Sequence, residues 1–422
     1  MKILQIVEES PSLDFSIPLF EFIDDDSTIV VYSTRPSFQH WYEDSPENLL
    51  FNKKNITFLT TLDTINAPKI IKTTLHRFTK SNRSNTNNFF KKVLRKICTL
   101  IIDTFSKPNE FLKDYFYGNP DYVFIETRND LLPNKVNKNL FQWIQDEEIK
   151  CIGVPNSAYT LEGVKWSPIT PFGKSKTSNK LFLDFPNNYE YWMTSLQPFV
   201  IEQLEEVPYK IVGYPGADKN WINLFSFDEK SIVDSKEINL LVNIRHFGKN
   251  RNLGYGIGQY NIDDIILFFE TLKECIDIES SKKFNLFIKP HYYVNFFDFD
   301  KILKDLGIKN YNFLKTSIYK ALNNIDIVIG MHTSVNLITA LSGYPTLLFP
   351  QVLSNNIKKD DIKTKKMYEG MIGYCNNEDE FKEKFRFFLD TENRANISIK
   401  DREHIRKFFK DNSTKEILDY LR

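Results

Sequence analysis

The feature that most restricts this chain is an alternation. Short apolar runs rich in Val, Ile and Phe recur from one end to the other, separated by stretches with helical spacing. An unbroken apolar run is what a strand buried on both faces of a parallel sheet requires, and parallel neighbours need a crossover, usually a helix. In the first half the runs are MKILQIV (1–7), STIVVYST (27–34), NITFLTT (55–61), DYVFIET (121–127) and KCIGVPN (150–156), with helices expected over Phe15–Phe22 and Asn139–Asp146. A second series comprises KIVGYPG (210–216), INLLVNI (238–244), FNLFIKP (284–290), YNFLK (311–315), DIVIGM (326–331) and TLLFP (346–350). Its helices are expected over Ile262–Cys275, Phe299–Leu306, Ser317–Asn323 and Ser334–Leu341, followed by Glu378–Asp390 and Ile399–Phe409. The pattern predicts an α/β protein of two Rossmann-like domains facing each other across a cleft. At 422 residues the chain exceeds the size at which one core stops growing, so residues 1–190 and 191–395 are expected to fold as separate domains.

Two segments interrupt the alternation. Residues 82–88 (NRSNTNN) contain nothing apolar and read as a loop, and Gly163–Asn188 carries four Pro or Trp residues without periodicity, as a long inter-element loop does.

Charge and cysteine usage exclude several functions. Lys plus Arg and Asp plus Glu are both 55, so no global field draws the molecule to nucleic acid. Cys98, Cys151, Cys275 and Cys375 form no CxxC pair, which argues against zinc or a disulfide framework and suits buried thiols in a reducing cytosol. The opening MKILQIVEES is too short and too acidic for a signal sequence, and no apolar window reaches the ~18 residues of a spanning helix. A cytoplasmic protein is the expectation. The segment Phe89–Phe105 sets Lys91, Lys92, Arg95 and Lys96 beside a broad apolar face. Such a helix either lies on a membrane surface or covers a sheet with its cations in water, the second being the ordinary case.

In open α/β sheets, ligands bind beyond the carboxyl ends of the strands, so the residues after each apolar run are the candidates. After DIVIGM come His332, Thr333 and Ser334, at the start of a helix whose N–H groups favour an anion. The hydroxyls can equally be the helix N-cap, and both roles can coexist. In FIKPHYY (287–293) Lys289 and His291 follow an apolar strand, where a cation and an imidazole can neutralise a departing phosphate. Arg245, His246, Lys249 and Arg251 stand in a glycine-rich loop after INLLVNI, able to approach a phosphate closely but without the GxGxxG spacing. The turn VGYPGADKNW (212–221) is tight and either functional, through Asp218 and Trp221, or a hinge; Gly213 and Tyr214 are counted with the donor-binding candidates. In the first half, Glu8, Glu9, Ser12 and Asp14 follow the first strand and offer a carboxylate base, with Asp14 also suited to cap the next helix. Glu126, Arg128 and Asp130 form a second set, and His40 a third.

The order of these motifs, a strand ending in KPH, then DIVIG, a hydroxyl pair, a helix and G-x-P, resembles the second domain of GT-B glycosyltransferases. Within that fold it is most similar to bacterial surface-carbohydrate enzymes: capsule Kdo or sialic-acid transferases and CDP-glycerol glycerophosphotransferases. The GYPGAD turn (213–218) and the opening MKILQIVEESPSLDF resemble those proteins too. Three positions depart from the family pattern. Tyr292 stands where the His-Pro motif has proline, the hydroxyl pair is Thr-Ser, and Thr339 falls where many GT-B enzymes carry a ribose-binding glutamate. The resemblance implies a nucleotide-sugar glycosyltransferase of surface polysaccharide synthesis, using a CMP-linked sugar acid and inverting its anomeric configuration. Lys289, His291, His332, Thr333, Ser334, Arg245, Gly213 and Tyr214 would bind the donor, with His291 stabilising the leaving phosphate and Asp14 or Glu9 deprotonating the acceptor. It implies a glycan or lipid-linked glycan acceptor. No DxD follows a strand in the donor lobe, so no metal and no further cofactor are expected, and contact through 89–105 would place the protein at the inner face of the plasma membrane. The resemblance also implies that the tail, 396–422, crosses back to the first domain. The alternatives are a UDP-sugar 2-epimerase-like enzyme, a CDP-glycerol-type transferase and an inactive GT-B-like scaffold binding a glycan or a partner.

Overall fold

The structure is a computed structural model that describes residues 1–7, 15–34, 53–79, 89–126, 135–155, 189–193, 209–224, 237–244, 262–290, 296–314, 318–322, 324–331, 333–349 and 362–422. In the first part of the chain the elements are β1 (Lys2–Val7), α1 (Ser16–Glu21), β2 (Thr28–Ser33), β3 (Ile56–Thr60), α2 (Lys69–Thr79), α3 (Phe89–Phe105), α4 (Pro108–Tyr115), β4 (Tyr122–Glu126), α5 (Lys135–Asp146), β5 (Lys150–Val154), β6 (Tyr189–Met193) and β7 (Tyr209–Ile211). A short 3-10 turn (Pro215–Ala217) and α6 (Lys219–Ile222) lead to the second part. That part contains β8 (Glu237–Ile244), α7 (Ile262–Ile278), β9 (Lys283–Pro290), α8 (Phe296–Asp305), β10 (Tyr311–Phe313), α9 (Ile318–Ala321), β11 (Ile327–Gly330), α10 (Ser334–Leu341) and β12 (Thr346–Leu348). It closes with α11 (Ile362–Glu369), α12 (Glu378–Phe388), α13 (Thr391–Arg406) and α14 (Ser413–Leu421).

Two wholly parallel sheets result. The first has seven strands in the order β3-β2-β1-β4-β5-β6-β7, the second five in the order β10-β9-β8-β11-β12. Both are doubly wound, so the fold class expected from the alternation is the one observed. Successive side chains of β1 divide between two cores: Ile3 and Val7 join the cluster that includes α1, while Leu4 and Ile6 join the one holding Phe141 and Ile144 of α5. That two-sided burial is why the strands read as unbroken apolar runs.

Two expectations are corrected. The first sheet does not end near residue 190: β6 and β7 add to it, so it reaches Ile211, and KIVGYPG contributes its last strand instead of opening the second series. Hydrophobicity marks a strand but not the sheet it joins, because pairing depends on where the neighbouring backbone lies. The long C-terminal helix begins at Thr391, not Ile399, with Asp390 capping it through Asn393 N at 2.8 Å. Helices α2, α4, α11 and α14 were not anticipated from sequence.

In the tail, α14 meets the first sheet directly. Tyr122 Oη donates to Leu421 O at 3.0 Å, Lys150 Nζ donates to Tyr420 Oη at 3.0 Å, and Tyr420 Oη donates to Glu190 at 2.8 Å. Tyr122, Lys150 and Glu190 lie at the starts of β4, β5 and β6. The tail therefore covers the amino-terminal edge of that sheet and leaves the carboxyl edge to the loops.

Candidate functional site

A doubly wound sheet opens a crevice where the strand order reverses, beyond the carboxyl ends of the strands. In the five-stranded sheet this point lies between β8 and β11. Register sets Asn243, near the end of β8, opposite Lys289 of β9 on one side and Gly330 of β11 on the other. The polar residues of three strand ends thus share one rung.

A chain of amide contacts is built on that rung. Asn243 Nδ2 donates to Asn336 Oδ1 at 2.8 Å, and Asn336 Nδ2 donates to Met331 O. The backbone N–H of Asn336 points to Thr333, 3.3 Å from its hydroxyl and 3.1 Å from its carbonyl. Thr333 is the N-cap of α10 with extended backbone (φ −145°, ψ 154°), as its residue type favours. Helix geometry gives the next N–H groups, those of Ser334 and Val335, no acceptor within the helix, so they are available to an anion. Asn336 is completely buried. Gly330 is needed for this packing, since a Cβ there would stand 2.5 Å from Asn336 Nδ2 and 2.8 Å from Asn243 O.

Two features of the rung suit a ligand. Among the described residues Asn243 Oδ1 is buried without a hydrogen-bond donor, a state that costs on the order of 1–3 kcal/mol and that a ligand O–H or N–H would relieve. Lys289 retains only 9% exposure, and a cation so desolvated gains from an anion brought beside it. Among the described residues, the last two positions of β8, β9 and β11 (Asn243, Ile244, Lys289, Pro290, Ile329 and Gly330) carry no carboxylate. These six positions can receive an anion and add no negative charge of their own.

Of the predicted donor-binding residues, Lys289, Thr333 and Ser334 come to this edge, Ser334 as the first residue of α10. Asp14, Glu9, His291, His332 and Arg245 lie outside the described residues, as do Glu8, Ser12, His40, Arg128, Asp130, His246, Lys249 and Arg251. Asn243 and Asn336 were missed. The available signal was an amide inside an apolar run, INLLVNI, and another inside the apolar helix SVNLITAL.

Gly213 and Tyr214 take a packing role instead. Gly213 has φ +85°, and a Cβ on it would stand 2.2 Å from Ser413 Oγ, so the turn admits α14 only because the side chain is missing. Tyr214 is buried with its ring 6.4 Å from that of Phe15 and 6.3 Å from that of Phe409. Asp218 accepts the N–H groups of Ser413 at 3.0 Å and Thr414 at 2.6 Å, and its burial raises its pKa against the opposing pull of those donors. Trp221 is buried and donates through Nε1 to Tyr319 Oη at 3.3 Å. The turn is a clamp on the last helix, and that accounts for both of its predicted binding residues.

The argument from Thr339 is also corrected. Its side chain is fully buried, donating to Asn336 O at 2.8 Å and standing 3.1 Å from Thr346 Oγ1. It ties α10 to β12 inside the core, so the lack of an acid there carries no information about a ribose.

Two Rossmann-like domains with this strand order constitute a GT-B-like fold. No family model and no curated protein sequence matches the chain. Solved structures do match it in fold. One, described as a UDP-N-acetylglucosamine 2-epimerase from Listeria monocytogenes, shares 12% identity at a TM-score of 0.51, covering 96% of this chain and 94% of its own. The UDP-GlcNAc 2-epimerase of Neisseria meningitidis, bound to UDP-GlcNAc, gives 14% identity and a TM-score of 0.50 over 100% of this chain and 99% of its own. A trehalose-6-phosphate synthase gives 9% identity and a TM-score of 0.50 over the same shares, 100% and 99%. These similarities establish the architecture: epimerases and glycosyltransferases share it with this protein.

Proposed function

We propose that this protein is a glycosyltransferase that draws on a nucleotide-activated sugar, with the nucleotide held at the β8/β11 crevice. The carrying observation is the buried Asn243–Asn336–Thr333 relay beside Lys289, at the point where a doubly wound sheet binds ligands. In this proposal the first N–H groups of α10 and the Lys289 ammonium hold a phosphate oxygen, and Asn243 Oδ1 accepts from the nucleoside. Both neutralise the charge that builds on the nucleotide as its bond to the sugar breaks. His291 and His332 assist at the phosphate, and Asp14 or Glu9 takes the acceptor proton. No metal is assigned to the reaction, so turnover is expected to persist in a chelator.

The preferred donor is a CMP-linked sugar acid, supported by the KPH strand end and the Thr333–Ser334 pair. A UDP-sugar 2-epimerase is the second proposal, favoured by the UDP-GlcNAc 2-epimerases among the structural neighbours. Thermal-shift measurements with CMP, CDP, UDP and GDP separate them. Stabilisation by a cytidine nucleotide supports the transferase, and stabilisation by UDP with interconversion of a UDP-sugar supports the epimerase. The Lys289→Ala variant is expected to lose the nucleotide shift, measured against its own unliganded melting temperature. An undiminished shift in that variant removes the site, and no shift with any nucleotide removes both proposals in favour of a binding scaffold.

A further inference from the structure

We propose that α2 and α3 together form a docking face for an anionic lipid bilayer. The two helices pack on each other through a small cluster of their own, in which Leu62, Ile65, Leu75, Cys98 and Ile102 are buried. That cluster uses one stripe of α3, Cys98 and Ile102. A neighbouring stripe, Val93, Ile97, Leu100, Ile101 and Phe105, remains in solvent, with Leu100 67% and Phe105 62% exposed. On α2, Ile70 (75% exposed), Ile71 and Phe78 are also in solvent. Of the fourteen large apolar side chains exposed among the described residues, eight belong to these two helices. Single exposed apolar residues are ordinary, but such a concentration on one helix pair marks a face that meets something apolar.

Charge identifies what it meets. The two helices carry seven Lys or Arg and a single acid, Asp103, in a chain whose cations and anions are equal in number. Apolar side chains interleaved with cations on helices too short and too basic to span a bilayer are the composition of a surface-lying segment. Among the described residues no helix is long and apolar enough to cross a membrane. A second copy of this chain fits the face poorly. Among the described side chains Lys69, Arg77 and Lys96 are exposed on these helices, and a two-fold contact would set such like charges against each other, which is costly. An anionic bilayer satisfies both properties at once: its headgroups take the cations and its acyl boundary takes the apolar stripe.

The inference does not depend on the proposed activity, because its test uses no sugar and no nucleotide. The full chain is floated with vesicles of phosphatidylcholine containing phosphatidylglycerol, and separately with pure phosphatidylcholine. Binding to the anionic vesicles is expected, weakened by added salt, with little binding to the neutral ones. The double variant Ile97→Glu/Leu100→Glu should lose binding by at least about tenfold. Ile70→Ser on the other helix should weaken it independently. All these positions are exposed, so the melting temperature serves as the control for folding. Failure of the wild-type chain to float with anionic vesicles would overturn the proposal, as would undiminished flotation of both variants. A wild-type dimer that the double variant dissolves, without vesicle binding by either, would assign the face to self-association instead.

Discussion

Asn336 is the residue on which the candidate site turns. Its amide joins β8 to the turn after β11, and its main chain is capped by Thr333. Replacing it by Ala strands the Asn243 amide and the Met331 carbonyl in a buried place, so Asn336→Ala should cost about 2–4 kcal/mol in urea unfolding. A cost below about 0.5 kcal/mol would mean that the relay does not hold the edge together. A second residue-scale effect belongs to Asp401, a buried carboxylate on α13 that accepts the N–H groups of Ile372 at 2.6 Å and Gly373 at 3.2 Å. Burial dominates those donors and raises its pKa from 3.8 to about 6. As pH rises from about 4 to 6 the unfolded chain ionises here while the folded carboxyl keeps its proton. This group therefore contributes stability that is complete below the unfolded value and lost as pH passes through the folded one, roughly 3 kcal/mol for a difference of 6 − 3.8 = 2.2. Chemical denaturation across that range should show a shallower pH dependence in Asp401→Asn than in the wild type. Identical slopes would refute the assignment.

At the scale of elements, the last helix shows how a distant residue completes a local structure. Asn412 precedes α14 in a left-handed conformation (φ 60°) and makes no side-chain cap, while Asp218, 195 residues away from Ser413, supplies the missing acceptor. Asp218→Ala should release α14 before the rest of the molecule unfolds, seen as faster hydrogen exchange over residues 413–421 with protection of β1 and β8 retained. Uniformly faster exchange in both sheets would show that the helix is not a separable unit. The element scale is also where sequence was most legible. Every one of the eleven apolar runs identified as strands overlaps a strand, and α10 matches its expected limits, Ser334 to Leu341. The short strand β6 and helices such as α11 escaped because their periodicity is weak or their polar content high; tertiary neighbours stabilise them. At the candidate site, Lys289 and Thr333 were legible because they follow apolar runs directly. Asn243 and Asn336 were not, since an amide within an apolar stretch looks like a tolerated interruption until its partner, 93 residues away, is in place.

For the whole molecule, one buried cluster joins residues of both parts of the chain: Phe15 and Trp192 from the first, Tyr214 and Trp221 from the connecting turn, Leu337 and Leu341 of α10, and Leu418 of α14. The helix that forms the candidate anion edge is thereby packed on the connection between the two sheets, so that loosening one should be felt at the other. The four thiols offer a way to follow the molecule as it opens. All are free and buried, and burial raises the pKa of each, Cys275 to about 11 and Cys375 to about 12. None should react with a bulky maleimide at neutral pH in the native state. As denaturant is added, Cys98 should be labelled first, since only the small α2/α3 cluster covers it, whereas Cys151 and Cys275 lie in the main cores of the two sheets. Simultaneous labelling of all four would show that the outer cluster opens only with global unfolding.

The sequence by itself determined the class of this protein: two parallel sheets, their strands and most of their covering helices follow from apolar runs and helical periodicity, which are local properties of burial. It also placed Lys289 and Thr333 at strand ends. Only the tertiary structure decided that the first sheet extends to Ile211, that Gly213 and Tyr214 hold the last helix, and that Thr339 is a core residue. It alone brought Asn243 to Asn336 and left the stripe of α3 from Val93 to Phe105 uncovered. Each of these depends on which distant segment arrives beside a residue. A side chain's pattern in sequence states whether it will be buried; the partner against which it is buried is settled when the sheets assemble.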